Sequence, residues 1–430
     1  MTFTRRNVLK VVAATASMAA SGLAVSASQH RVVVVGGGFG GGTVARYLAR
    51  WGGADVAVTL VDPGDAHVSC VMSGLVLNDS LSLSDLTFPF AGWKSRYGID
   101  HLQRRALSID GAAKRLALDD GSGVDYDSLV LSPGIRFIDV PGLNSELIPH
   151  GWIAGPQTQL LHDQIRDMPD AGTFILSIPK SPYRCPPGPY ERACLVADIL
   201  GRRSGALGVS LAPGRTPKVI VLDANPRIQA EEETFSRAFS ELYGNIVSYH
   251  ANAELLSVDS TARVVETSIG SFSGDVVNVI PGHAAPQLLA DSGLTDGGLW
   301  APIDPVTYAS TVAGFPGVHV IGDAQASGQP KSGHMANSQA KICADAILRN
   351  ARGLQNHTAE RLAALTTNSA CFSPITANEA SWLTAVYRYD TGSGQMALVP
   401  ASFGASRGWS KSNYERMFDW SNNLLADTFL

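Results

Sequence analysis

An apolar run entering a glycine-rich turn, a second run ending on an acidic residue roughly 20 positions on, and another strand–helix–strand pattern past Gly155 predict an α/β fold. Residues 32–35 are four successive valines, which suits a parallel strand buried on both faces. Gly36-Gly37-Gly38-Phe39-Gly40-Gly41 follows, with Gly36, Gly38 and Gly41 in the fixed places of G-x-G-x-x-G. Residues 42–51 read as a helix and 56–61 as the next strand, closing at Asp62. This is a βαβ unit. Glycine lets the backbone approach a pyrophosphate seated on the helix N-terminus, and Asp62 would hold the ribose hydroxyls.

Further along, residues 126–134 read as a strand ending in the turn Ser132-Pro133-Gly134. A second α/β region opens near Gly155 with a strand at 173–178, a helix at 192–201 and a strand at 218–222 that closes at Asp223. A third strand, 276–280, is read as the return to the first domain. Residues 318–321 make a last strand into Gly322-Asp323, feeding a helix that starts near His334. The predicted architecture is therefore two Rossmann-like dinucleotide-binding-type domains, an FAD domain (31–150 and 275–350) and a degenerate NAD-type domain (151–274). A C-terminal interface domain (351–430) follows, with aromatic residues but neither helical nor strand periodicity.

Residues 1–30 read as an export signal. Arg5 and Arg6 form a twin-arginine pair, a weakly apolar run covers 11–23, and Val25-Ser26-Ala27 offers a small-residue cleavage site. The apolar run falls short of the roughly 20 residues that a membrane span needs. The expected location is the periplasm, with no transmembrane anchor. Of the 430 residues, 45% are hydrophobic and 17% charged, which fits a compact globular protein. A net charge of -5 gives no footprint for nucleic acid. Five cysteines are too few for a disulfide scaffold, and their odd number leaves at least one outside any intramolecular pair.

FAD rather than NAD follows from the later elements. In flavoproteins with two dinucleotide domains, a strand ending in Gly322-Asp323 places a carboxylate near the ribityl chain, and Ser132-Pro133-Gly134 looks like their middle crossover. The second region lacks a matching glycine turn. Pro179, Pro182, Pro186, Pro187 and Pro189 stand where glycines would be needed. Proline has no N–H to offer a phosphate, so NAD(P)H is not expected there.

The chain resembles the flavoprotein subunit of flavocytochrome c sulfide dehydrogenase over nearly all of its mature length. The resemblance rests on the glycine turn, Val68-Ser69-Cys70, the stretch from Tyr183 through Cys185 to Arg192, Gly322-Asp323-Ala324, Pro330-Lys331-Ser332-Gly333, Ala336-Asn337-Ser338-Gln339, Asn422-Asn423 and Asp427-Thr428-Phe429. It implies that Cys70 attaches FAD through a thioether, where the residues alone leave a structural thiol open. It implies that Cys185 and Cys371 form a redox disulfide attacked by sulfide, with a purely structural disulfide as the alternative. Glu191 becomes the candidate proton-transfer group, or else a surface carboxylate at a helix start. Lys331 is a candidate to stabilise charge on the reduced flavin.

The activity so implied is oxidation of sulfide, with single electrons passed to a c-type cytochrome partner. The C-x-x-C-H haem pattern is absent, so any haem belongs to that partner. His67 and Cys70 have a metal-like spacing without a second pair, so no metal site is expected. Cys194 and Cys343 read as buried small residues. Competing readings are a membrane-associated sulfide:quinone oxidoreductase, an NAD(P)H-dependent reductase, and a non-catalytic electron-transfer flavoprotein. The segment from Pro281 to Pro286 departs from the double-proline turn expected near the flavin, and the surroundings of Cys371 match only loosely.

Overall fold

The computed structural model describes residues 29–209, 211–212 and 214–430. The proposed export signal lies outside them, apart from Gln29 and His30. One sheet has five parallel strands in the order Val318–Val320, Ser128–Leu131, His30–Val35, Val56–Val61, Asp100–Leu102. The valine run is central because it has two faces to bury. Val32 and Val34 pack against the helices Phe39–Gly52 and Gly333–Ala351. Val33 and Val35 pack against Leu116, Leu118 and Tyr126 on the opposite face. Full burial of each such side chain contributes about 1.5–3 kcal/mol.

The second sheet is also parallel, ordered Val247–His250, Lys218–Asp223, Thr173–Ile178, Val276–Val279. This corrects the reading of 276–280 as a strand returning to the first domain, because Val276–Val279 pairs in register with Thr173–Ile178. A strand buried on both faces carries no side preference, so its residues do not say which sheet it joins. The link back comes later, where His283–Ala284 pairs with Arg136–Phe137. The helix expected at 192–201 runs from Gly188 to Ser204, with Pro189 tolerated in its first turn.

The C-terminal region, expected to lack a pattern, forms an antiparallel sheet of Thr366–Pro374, Ala380–Asp390 and Gln395–Leu398, then the helix Lys411–Phe429. Its first strand does alternate, but Thr367, Ser369 and Ser373 occupy the buried face, so no apolar period appears. The last helix returns to the first domain. Asn337 Nδ2 donates to Thr43 Oγ1 (2.9 Å), Asp427 Oδ2 (2.9 Å) and Thr428 Oγ1 (3.1 Å), and Phe429 stacks on His67 and Phe88. Among the described residues no helix is long and apolar enough to cross a membrane.

Candidate active site

The glycine turn takes its shape from contacts that admit no side chain. Gly36 has φ +92° and donates its N–H to Val61 O at 2.9 Å. A Cβ on Gly41 would stand 1.7 Å from Gly36 O, so helix and strand approach too closely for any other residue. Asp62 accepts the Gly37 amide at 2.7 Å through Oδ2 and the Gly64 amide at 2.8 Å through Oδ1. Gly38 caps the helix without a side-chain hydrogen bond, and no acidic residue lies in the first turn. The turn thus presents free N–H groups and positive helix-end potential to an anion.

This turn forms one wall of a cleft whose other walls include Ser132, Pro133, Gly134, Gly322 and Asp323. Gly322 is held by Gln339, whose Oε1 accepts its amide at 2.8 Å. Asp323 Oδ1 is buried with no hydrogen-bond partner, and burial raises its carboxyl above the usual range. Lys331 is not among the residues lining this cleft. Its ammonium donates to the carbonyls of Asp323 and Gln325 at 2.8 Å each and lies 3.7 Å from the Trp300 ring centroid. It shapes the Asp323 turn, and burial pushes its pKa down to about 8.

A second chamber adjoins the cleft, and Cys70, Arg184, Ser332 and Gly333 line both. Into this chamber the structure brings Cys70, Cys185, Cys371 and Glu191, from three separate stretches of the sequence. Cys185 sits in the left-handed region at φ +58°, with its amide donated to Lys331 O at 2.7 Å. Such strain in a non-glycine residue costs of order 1–3 kcal/mol and persists only where its surroundings fix it. Cys371 comes from the strand Thr366–Pro374, and Glu191 from the first turn of the helix Gly188–Ser204. All five cysteines are free thiols, with Cys194 and Cys343 fully buried in apolar cores.

Desolvation dominates the chamber. It raises the Cys70 thiol, raises Cys185 well above its usual value, and pushes Cys371 up to about 12. Glu191 faces the chamber rather than the protein surface, and burial pushes its carboxyl up to about 8. Its neighbour Arg192 is committed elsewhere: its guanidinium donates to the carbonyls of His150 and Gly151 and to Asn278 Oδ1, and lies over the Trp152 ring. Burial lowers Arg192 to about 10. Three groups here were not singled out from the sequence. Arg184 spans both cavities, with its guanidinium on Trp152 O; His283 accepts the Arg184 amide through Nδ1 at 3.0 Å; Trp420 lines the chamber. Neither Arg184 nor His283 stands in a pattern with chemical meaning, although Arg184 adjoins Cys185 in the stretch that carries the resemblance.

Three family models match successive parts of the chain. Residues 30–176 match "Pyridine nucleotide-disulphide oxidoreductase", and 158–281 match "Sulfide dehydrogenase [flavocytochrome c] flavoprotein chain, central". Residues 363–429 match "Flavocytochrome c sulphide dehydrogenase, flavin-binding". A 46-residue stretch is 52% identical to the sulfide dehydrogenase [flavocytochrome c] flavoprotein chain of Chlorobaculum thiosulfatiphilum, covering 11% of this chain and 94% of that sequence. This chain belongs to that family.

More distant likenesses agree on the fold. The mitochondrial sulfide:quinone oxidoreductase of Dictyostelium discoideum is 22% identical over 345 residues, which covers 76% of this chain and 72% of that one. A 104-residue stretch is 33% identical to ferroptosis suppressor protein 1 of Taeniopygia guttata, covering 24% of this chain and only 26% of that protein. The crystal structure of the sulfide:quinone oxidoreductase from Aquifex aeolicus superposes with a TM-score of 0.74 at 16% identity, covering 93% of this chain and 91% of that one. The chain is a flavoprotein oxidoreductase, and the residues present fit FAD. The cleft is open beside Gly38, the helix end is uncapped, and the orphaned Asp323 oxygen awaits a hydroxyl partner.

Proposed function

We propose that this protein oxidises sulfide at Cys185 and Cys371 and passes the electrons through FAD to a c-type cytochrome subunit. The observation that carries the reading is that Cys70, Cys185, Cys371 and Glu191 line one chamber, which opens on the dinucleotide cleft. Family membership supports sulfide as the substrate and a cytochrome as the partner. The glycine turn would hold the pyrophosphate, Asp62 a ribose and Asp323 the ribityl chain, with Cys70 as the thioether anchor. When bound, FAD accepts an electron pair and releases it one electron at a time.

The protein's own share is to offer an electrophilic sulfur and to manage protons. With Cys185 and Cys371 joined as a disulfide, hydrosulfide attacks one sulfur: HS⁻ + Cys–S–S–Cys → Cys–S–SH + Cys–S⁻. The apolar chamber disfavours the thiolate that leaves, which makes it a strong nucleophile and drives its charge onward. Glu191, held up to about 8, carries its proton near neutral pH and can give it to the thiolate that leaves. The prolines ahead of Gly188 argue against a nicotinamide donor. Export by the twin-arginine route to the periplasm rests on Arg5 and Arg6 and the segment that follows them.

Anaerobic mixing of the flavin-loaded protein with sulfide or NADH tests the reading. Sulfide is expected to bleach the flavin absorbance, with reoxidation by a c-type cytochrome faster than by a short-chain ubiquinone. Bleaching by NADH alone, or preferred reoxidation by the quinone, would overturn it.

A further inference from the structure

Cys371 also lines a second cavity. Glu231, Ser369, Leu383 and Ala385 line it, and Cys371, Pro187 and Ser332 are shared with the thiol chamber. Glu231 precedes the helix Glu232–Arg237 and sits in the left-handed region at φ +50°. Its position is fixed from the cysteine's own strand, where Ser373 Oγ donates to Glu231 Oε1 at 2.8 Å. Residues two apart on a strand point to the same face, so Ser373 holds this carboxyl beside Cys371. The other oxygen, Oε2, is buried and lies toward the hydroxyl of Ser381, directly across the sheet from Ser373. A buried carboxylate held by hydroxyls alone is costly to ionise, so its proton is readily exchanged.

We propose that Glu231 is the proton-exchanging partner of Cys371, through the cavity that both residues line. The exchange is Cys371–SH + Glu231–COO⁻ → Cys371–S⁻ + Glu231–COOH, and the reverse. It moves one negative charge without adding another, as a chamber that penalises charge requires. The thiolate is the form that reacts with sulfur electrophiles, so its proton needs a nearby acceptor. The surrounding charges permit this. Glu191 and Cys194 face Glu231 from the helix Gly188–Ser204, and Cys371 and Tyr387 face the cavity from the C-terminal sheet. From the segment of Glu231 itself, Arg227 and Glu232 line the cavity and stand 3.9 Å from each other, and among the described residues no cation forms an ion pair with Glu231. Burial raises the Glu231 carboxyl, against the pull of Ser381 and Ser373, and its charge in turn raises Cys371 and Glu191.

This inference rests on the sulfide-oxidation reading, but its test has an arm that does not. The flavin-loaded protein is reduced with dithiothreitol, freed of it anaerobically, and pulsed with iodoacetamide across a pH series, with mass analysis of the Cys371 peptide. Glu231→Gln removes the like charge and keeps an acceptor for Ser373. It is expected to shift Cys371 alkylation to lower pH, raising its rate at a fixed pH by about tenfold, which corresponds to about one pKa unit. Sulfide-driven flavin reduction should fall by about a hundredfold in the same variant. Opposite changes in the two rates cannot come from simple loss of structure. Ser373→Ala, which keeps the charge but frees the carboxyl, should move the Cys371 profile to higher pH. Identical Cys371 profiles in the wild type and Glu231→Gln would overturn the proposal. Failure of sulfide to bleach the wild-type flavin would instead overturn the functional reading and leave the alkylation result standing.

Discussion

Asp62 accepts the Gly37 amide at 2.7 Å, so the acidic residue at the end of the second strand shapes the glycine turn as well as facing the cleft. Turn and carboxylate form one unit, and the close approach within it sets the first prediction. Gly41→Ala puts a Cβ 1.7 Å from the Gly36 carbonyl, where the backbone itself must shift. It should cost at least about 1–3 kcal/mol and yield protein without flavin. At Gly38 the nearest atom to an added Cβ is His67 Cε1 at 3.4 Å, so Gly38→Ala should fold. Comparing thermal midpoints and the flavin-to-protein absorbance ratio checks both.

Much of this was legible in the sequence, and the exceptions share a cause. The glycine turn, Asp62 and the three cysteines follow from local pattern or from the resemblance. Val276–Val279 could not be assigned to a sheet, because a strand buried on both faces gives no clue to its neighbours. Thr366–Pro374 was invisible because Thr367, Ser369 and Ser373 replace the apolar side chains that would have betrayed the alternation. Glu231 sits in a segment with no motif and gains its meaning only from the strand folded against it. From sequence alone a helix start suits Glu191 to a surface or a site role; its burial in the chamber favours the second.

Cys70 stands where the two cavities meet. If it anchors FAD, acid precipitation of the wild type should leave the yellow colour in the pellet, with the flavin mass on the Cys70 peptide. Cys70→Ser should release the flavin into the supernatant and leave the fold intact.

Glu191 predicts a pH dependence. Its folded pKa of about 8 lies above its unfolded value, so the folded state binds the extra proton and is favoured at low pH. That stability is fully present below the unfolded value and is lost as pH rises to about 8. The thermal midpoint of Glu191→Gln should therefore fall less steeply between about pH 5 and 8 than that of the wild type. The rate of sulfide-driven flavin reduction should lose its inflection near pH 8 in the same variant. Unchanged profiles by both measures would remove Glu191 from the proton path.

Arg192 ties the helix Gly188–Ser204 to the segment at His150 and Gly151. Arg192→Met leaves two carbonyls and Asn278 Oδ1 buried with fewer donors, a loss of about 1–3 kcal/mol for each group left unsatisfied. Denaturant titration should show a lower midpoint with an unchanged slope. An unchanged midpoint would mean that water replaces the guanidinium.

The central claim is that electrons enter through Cys185 and Cys371, and the most direct measurement is stopped-flow bleaching of the flavin by sulfide in Cys371→Ser. The account predicts that the flavin remains bound and that sulfide-driven reduction drops to a small residue of the wild-type rate. A Cys371→Ser protein that bleaches at the full wild-type rate would contradict it and leave the cysteine pair a structural feature of an electron-transfer flavoprotein.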